Sequence, residues 1–189
     1  MEIYDKKELI LMQALLEVEA DLPQLLEDES RWNTLDIDYH PPHVQRVWTE
    51  HNGYRVCLHR FPNSCNLNVA LYHPHPWPSA IRIIEGGYVQ SIGHETIIGN
   101  EEEYTIKVVT DAIVSMQSDD VYIMANPKAW HKVVPAIETY SLMLMGPLFD
   151  KDEMSEAISK PHKKLEQLSE DTKLFIIEKF KAYYGNGEV

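Results

Sequence analysis

The chain has 189 residues, 44% of them hydrophobic and 25% charged, with 17 Lys plus Arg against 30 Asp plus Glu. That length suits one domain with a full hydrophobic core. The formal charge of -13 leaves no positive footprint for nucleic acid or for an anionic membrane surface, so neither is expected as a partner.

The first 22 residues mix acids into their apolar run and fit neither a signal peptide nor a membrane span. Only Cys57 and Cys65 are present, too few for a disulfide framework, so a reduced cytoplasmic protein is expected. Leu9, Met12, Leu15, Leu16 and Val18 keep helical spacing, with Asp5 placed to cap the first turn. Asp21-Leu22-Pro23 is expected to break or re-enter that helix, while Leu22, Leu25 and Leu26 continue the stripe. Residues 1–45 are read as a helical extension.

From Tyr54 the texture turns to β. The strand-like runs are Tyr54–Arg60, Asn66–His73, Ala80–Glu85, Tyr88–Ile92, Tyr104–Val109, Ile113–Met116, Val121–Met124 and Thr139–Met145. Turn signals separate them at Pro62-Asn63-Ser64, Pro76-Trp77-Pro78, Gly86-Gly87, Gly99-Asn100 and Asn126-Pro127. Glu101-Glu102-Glu103 reads as a solvated hairpin tip. So many short strands in one stretch predict a sandwich or barrel over residues 46–149. Helical texture returns over 150–189, with Asp150–Ser159 as one helix and Pro161 as an interruption. Ser169 is placed to cap a last helix, Glu170–Tyr184, which Gly185-Asn186-Gly187 would end. The whole, 1–189, reads as a single domain.

His73-Pro74-His75 carries the chemistry. Side chains two apart on an extended strand share a face, so Leu67, Val69, Leu71, His73 and His75 are expected to point inward together. Two neutral imidazole nitrogens would then meet where a divalent metal can bind. A later run, Ser118–Val133, delivers His131 after a proline turn, and sheet closure would bring this third imidazole to the first two. Arg82 alternates to the outer face, and Trp77 stiffens the turn beside the pair. His40, His43, His51, His59, His94 and His162 have no matching partners and read as surface or satisfied polar residues.

With HPHPWPSAIRIIEGG (73–87) and SDDVYIMANPKAWHKV (118–133), the sequence resembles the cupin superfamily. That resemblance implies an all-β jelly-roll barrel, a double-stranded β-helix, here with helical extensions at both ends. It implies His73, His75 and His131 as ligands of one metal. The slot that usually holds a metal-binding glutamate is Ser79, and Glu85 stands too far along its strand to replace it. A first shell of three histidines keeps the full charge of a divalent ion and leaves positions open for substrate and dioxygen.

Among cupins, a three-histidine site is similar to that of the thiol dioxygenases, of which cysteine dioxygenase is one. By that resemblance Arg46, before the turn His51-Asn52-Gly53, pairs with a substrate carboxylate. The serine–histidine–tyrosine set of the family's last strand is reduced to Ser141, with Met143 and Met145 at the alternating positions. Tyr72, Ser79 and Ser141 remain as polar groups to orient a substrate. The expected activity is a mononuclear oxygenase with ferrous iron (Fe2+), or Zn2+, Mn2+ or Ni2+ in its place. It would take dioxygen and a small carboxylate-bearing substrate, a thiol among the candidates, as a monomer or homodimer. The alternatives are a zinc or manganese isomerase or hydrolase, and a non-catalytic cupin that binds a small ligand.

Overall fold

In the computed structural model of the chain, the description covers residues 6–38, 41–99, 104–153 and 166–185. Helix α1, Lys6–Glu27, buries Leu11, Leu15, Val18, Leu22, Leu25 and Leu26 on one stripe, the three-to-four spacing that puts side chains on a single helix face. The helix does not break at Pro23, which lies inside it. One backbone hydrogen bond is given up there, and the buried Leu22, Leu25 and Leu26 hold the last turn in place. Asp5 lies outside the described residues.

After a 3-10 turn at Glu29–Arg31, the strands follow: β1 Asn33–Ile37, β2 Val44–His51, β3 Tyr54–Phe61, β4 His73–Pro74, β5 Ser79–Glu85, β6 Gly87–Gly99, β7 Tyr104–Gln117, β8 Val121–Met124, β9 Ala129–Pro135 and β10 Thr139–Met145. Helix α2, Glu170–Gly185, completes the described chain. Ser169 caps α2, its Oγ accepting from Thr172 N at 3.2 Å.

The strands form two sheets, one in the order β1-β2-β3-β10-β5-β8 and the other β4-β9-β6-β7. Setting β1 and β2 aside as an extension, β3-β10-β5-β8 faces β4-β9-β6-β7. This is the interleaved order of an eight-stranded jelly roll. The β barrel with a helix at each end is therefore present. The larger sheet is covered outside by α1 and α2: Val47, Val56, Leu58, Leu142 and Leu144 are buried with Leu15, Leu22, Ile176 and Phe180 in one cluster. Each such side chain contributes about 1.5–3 kcal/mol of transfer free energy. The opposite face of that sheet lines the barrel, with Cys57, Ile81, Met143 and Met145 in one apolar group and Phe61, Ile83, Tyr88 and Val133 in another.

Several sequence expectations need correction. The helical extension ends at Glu27, and residues 33–37 pair with β2 as an added strand. Tyr104–Val109 and Ile113–Met116 are parts of one strand, β7, and β9 lies beyond the Asn126-Pro127 turn, where no strand run is read from the sequence. Asn66–His73 is not a strand before His73. Asn66 O accepts from Val69 N and Ala70 N, and Asn66 Oδ1 accepts from Asn68 N at 2.9 Å. Those local bonds compete with a ladder and fold the segment into a turn. Leu67, Val69 and Leu71 are accordingly 40%, 48% and 55% exposed rather than inward. Asp150–Glu153 is a turn; the remainder of the Asp150–Ser159 run, Pro161, Glu101–Glu103 and Asn186-Gly187 lie outside the described residues.

Candidate metal centre

One short ladder assembles the site. Strand β4 is only two residues long, and its register places His73 directly opposite His131 of β9. His75 follows two residues on, so it returns to the same side of the chain as His73. The three rings come together with centroids 5.1, 4.6 and 4.8 Å apart. His131 Nε2 stands 2.8 Å from His75 Nε2 and 3.1 Å from His73 Nε2.

Ligands about 2.0–2.1 Å from one ion stand about 2.9–3.4 Å from one another in facial or tetrahedral arrangements, so this spacing fits a shared cation. Among the described residues these three are the group of histidine, cysteine and carboxylate side chains that could hold a metal ion. Burial, then the neighbouring imidazoles, hold His75 and His131 well below the ordinary histidine value, with Arg46 adding to the effect at His75. Both rings are therefore neutral ligands at pH 7. His73 Nδ1 lies 3.2 Å from the carbonyl of Leu71, the kind of outer contact that fixes which ring nitrogen faces a metal.

Across the barrel, Arg46 of β2, His59 of β3 and Ser141 of β10 are successive cross-strand partners. Arg46 Nε donates to His59 Nε2 at 2.8 Å. Burial is the first cause, and Arg46 and His75 the next, that hold His59 well below the usual histidine range. Of the two readings from sequence, surface or satisfied polar residue, His59 is the second, and it has a partner in Arg46. Its flanks Cys57 and Phe61 share its inward face, and that alternation was the signal. Ser141 and Ser79 are buried, and Ser79 Oγ has no partner among the described residues.

Trp77 lies 5.8 Å from His75 between ring centroids and joins the apolar wall of Cys57, Ile81, Met143 and Met145.

Tyr72 does not line the site as expected. Its hydroxyl is 2.6 Å from Thr110 Oγ1, and its ring lies under Lys132, which alternates away from His131. Glu85 is exposed and pairs with Lys179 at 2.6 Å, outside the barrel. Arg82 does point outward, to Glu19. His43, His51 and His94 pair with Asp36, Asp21 and Asp111, while His40 and His162 lie outside the described residues. Both cysteines are free, with Cys57 buried and its thiol pushed up to about 11 by burial.

Fold and site together define a jelly roll with a three-histidine centre inside the barrel. No protein-family model matches the chain, and no curated protein matches it either. Solved structures do. Hydroxypropylphosphonic acid epoxidase from S. wedmorenis is 10% identical, with a TM-score of 0.41 over 63% of this chain and 56% of the epoxidase. This chain therefore spans little more than half the length of that enzyme. KdgF from Halomonas sp. is 16% identical over 64% of this chain and 91% of its own, with a TM-score of 0.37. Protein NMB1881 from Neisseria meningitidis is 11% identical over 67% of this chain and 97% of its own, with a TM-score of 0.38. No helix among the described residues is long and apolar enough to cross a membrane.

Proposed function

We propose that this chain is a mononuclear metal-dependent oxygenase that acts on a small carboxylate-bearing substrate inside the barrel. The carrying observation is the convergence of His73, His75 and His131 on one point, facing an interior that also holds Arg46. A divalent ion bound there, Fe2+ in the leading reading, would supply a Lewis-acidic centre with open positions for substrate and dioxygen.

The protein's own residues define what can enter. Arg46 presents a fixed cation for a substrate carboxylate. His59, neutral and buried, accepts from its Nε and leaves the terminal nitrogens of the guanidinium to face a ligand. Met143, Met145, Cys57 and Ile81 form an apolar wall that excludes water and strengthens the charge interaction at Arg46. Ser79, Ser141 and Tyr88, whose hydroxyl donates to that of Tyr122 at 2.9 Å, are among the buried hydroxyl groups of that interior.

The test is metal analysis of the protein as purified, beside oxygen uptake after anaerobic loading with Fe2+. One ion per chain, lost in His73→Ala, and oxygen consumption with a small carboxylate thiol or enediol are the expected results. No bound ion, or iron binding without oxygen uptake for any such substrate, removes the oxygenase reading. The apolar last strand, with methionines where polar groups are expected, favours one second reading: a zinc or manganese enzyme acting by Lewis-acid catalysis. Zinc at full occupancy in the purified protein would select it.

A further inference from the structure

Among the described residues, two shielded polar atoms on adjoining strands have no partner, His131 Nδ1 on β9 and Gln90 Oε1 on β6. Gln90 is 1% exposed. A buried polar atom without a partner costs about 1–3 kcal/mol, so a glutamine held there is short of a donor. The register says where that donor is. His131 pairs with Ile92, and Gln90 pairs with Val133. Gln90 is thus the next inward residue along β6 from the one opposite His131. A cross-strand diagonal of that kind is within reach of a long side chain.

Chemistry closes the match. An imidazole that turns Nε2 to a metal carries its proton on Nδ1 and needs an acceptor there. Ile92 and Val133, the nearest cross-strand residues, have none in their side chains. Gln90 has a carboxamide oxygen on a flexible stem. It also stands on β6, which flanks β9 on the side opposite β4 and His73.

We propose that Gln90 is the positioning residue of His131: when a metal is held, a turn of its carboxamide brings the oxygen, unpartnered in the metal-free structure, to accept the Nδ1–H bond and fix the tautomer and ring plane. It would then do for His131 what the Leu71 carbonyl does for His73. The inference rests on the metal-centre reading above, and the experiment separates the two.

Co(II) serves as the probe, titrated into the full chain against a competing chelator, for wild type, Gln90→Leu, Gln90→Glu and His73→Ala. Thermal midpoints of the metal-free proteins are measured alongside. Solvent exchange of the histidine N–H protons shifted by bound Co(II) is followed by NMR. Wild type is expected to bind one ion, with His73→Ala losing it. Gln90→Leu is expected to bind about 10–100-fold more weakly, while its metal-free midpoint stays near wild type, because the carboxamide oxygen it removes is unpartnered there. One shifted N–H should exchange faster in that variant. Gln90→Glu keeps the acceptor and should hold Co(II) within a few-fold of wild type. Should Gln90→Leu fail to fold, Gln90→Met, closer in length, carries the same comparison.

Wild-type affinity and N–H exchange in Gln90→Leu would overturn the role of Gln90 and leave the metal centre standing. Equal weakening in the Leu and Glu variants would mark Gln90 as packing and overturn it as well. A wild-type protein that binds no Co(II) overturns both.

Discussion

Arg46 Nε donates to His59 Nε2 at 2.8 Å inside the barrel, and that single bond fixes the state of both residues. An accepting Nε2 requires His59 to be neutral with its proton on Nδ1, consistent with the direction in which burial and Arg46 push it. Arg46 is then a charge without a carboxylate partner in that bond, open to an anion. Removing it by Arg46→Met should weaken binding of a small carboxylate by about 10–100-fold, since charged hydrogen bonds contribute about 1.5–3 kcal/mol. Co(II) affinity should change little, because none of the three nitrogen ligands is touched. Titrating the carboxylate against the Co(II) spectrum checks it, and an unchanged carboxylate affinity would remove Arg46 from substrate binding.

Three imidazoles, His59, His75 and His131, are held below the ordinary histidine value, and this sets a pH dependence for the metal-free protein. The unfolded chain protonates its histidines near pH ~6.5, while the folded chain resists. Below that value the unfolded state binds more protons, so stability is present at higher pH and is lost as pH falls. The slope is about 1.4 kcal/mol per pH unit for each fully resisting group. Urea midpoints of the metal-free protein should therefore drop clearly between about pH 7.5 and about pH 5.5, a window above the carboxylate range. Equal midpoints across that window would mean that the rings are not held neutral.

The histidine pair was legible because two residues apart on an extended strand is a rule of geometry, and it holds at His73 and His75 even though β4 is only two residues long. The same alternation misled just before it. Asn66 binds its own neighbours through its side chain and carbonyl, and a period-two pattern carries no warning of such a turn. The Asn52-Gly53 turn was readable for the opposite reason: both residues have positive φ, 50° and 81°, which that dipeptide tolerates in a tight hairpin. His59 and Gln90 were missed because their significance depends on non-local register. Nothing near His59 in the chain announces Arg46, which reaches it only through the β2–β3 ladder.

Glu19 and Arg82 tie α1 to the outer face of the larger sheet through a two-point contact, with Arg82 Nη2 donating to Glu19 Oε2 at 2.9 Å. Their side chains are 7% and 19% exposed, and the Tyr184 hydroxyl adds a 2.8 Å bond to Glu19 Oε1. Breaking such a pair from one side leaves an uncompensated charge and costs about 3–5 kcal/mol, whereas replacing both partners by apolar residues can be neutral. Glu19→Ala should therefore destabilise strongly in urea unfolding, and Glu19→Met with Arg82→Met should recover most of the loss. If the double variant is as unstable as the single one, the pair contributes net stability rather than specificity of packing.

Gly86 and Gly53 offer a controlled comparison of backbone and space. Both have positive φ, +80° and +81°, so any L side chain at either position is strained, by about 1–2 kcal/mol. Around Gly53 nothing lies within 4 Å of an added Cβ, but at Gly86 it would stand 2.6 Å from Thr139 Oγ1 and 3.0 Å from Thr139 Cα. Thr139 cannot simply rotate away, because its Oγ1 donates to the Gly87 carbonyl at 2.9 Å and its Cα belongs to β10. Gly53→Ala should then show the conformational penalty alone, while Gly86→Ala adds displacement of β10, the strand that carries Ser141. Gly86→Ala is expected to lose at least ~1 kcal/mol more than Gly53→Ala by denaturant unfolding, from overpacking, and to weaken carboxylate binding at the Arg46–His59–Ser141 row. Equal losses at the two positions would mean that the β5–β6 turn yields without moving β10.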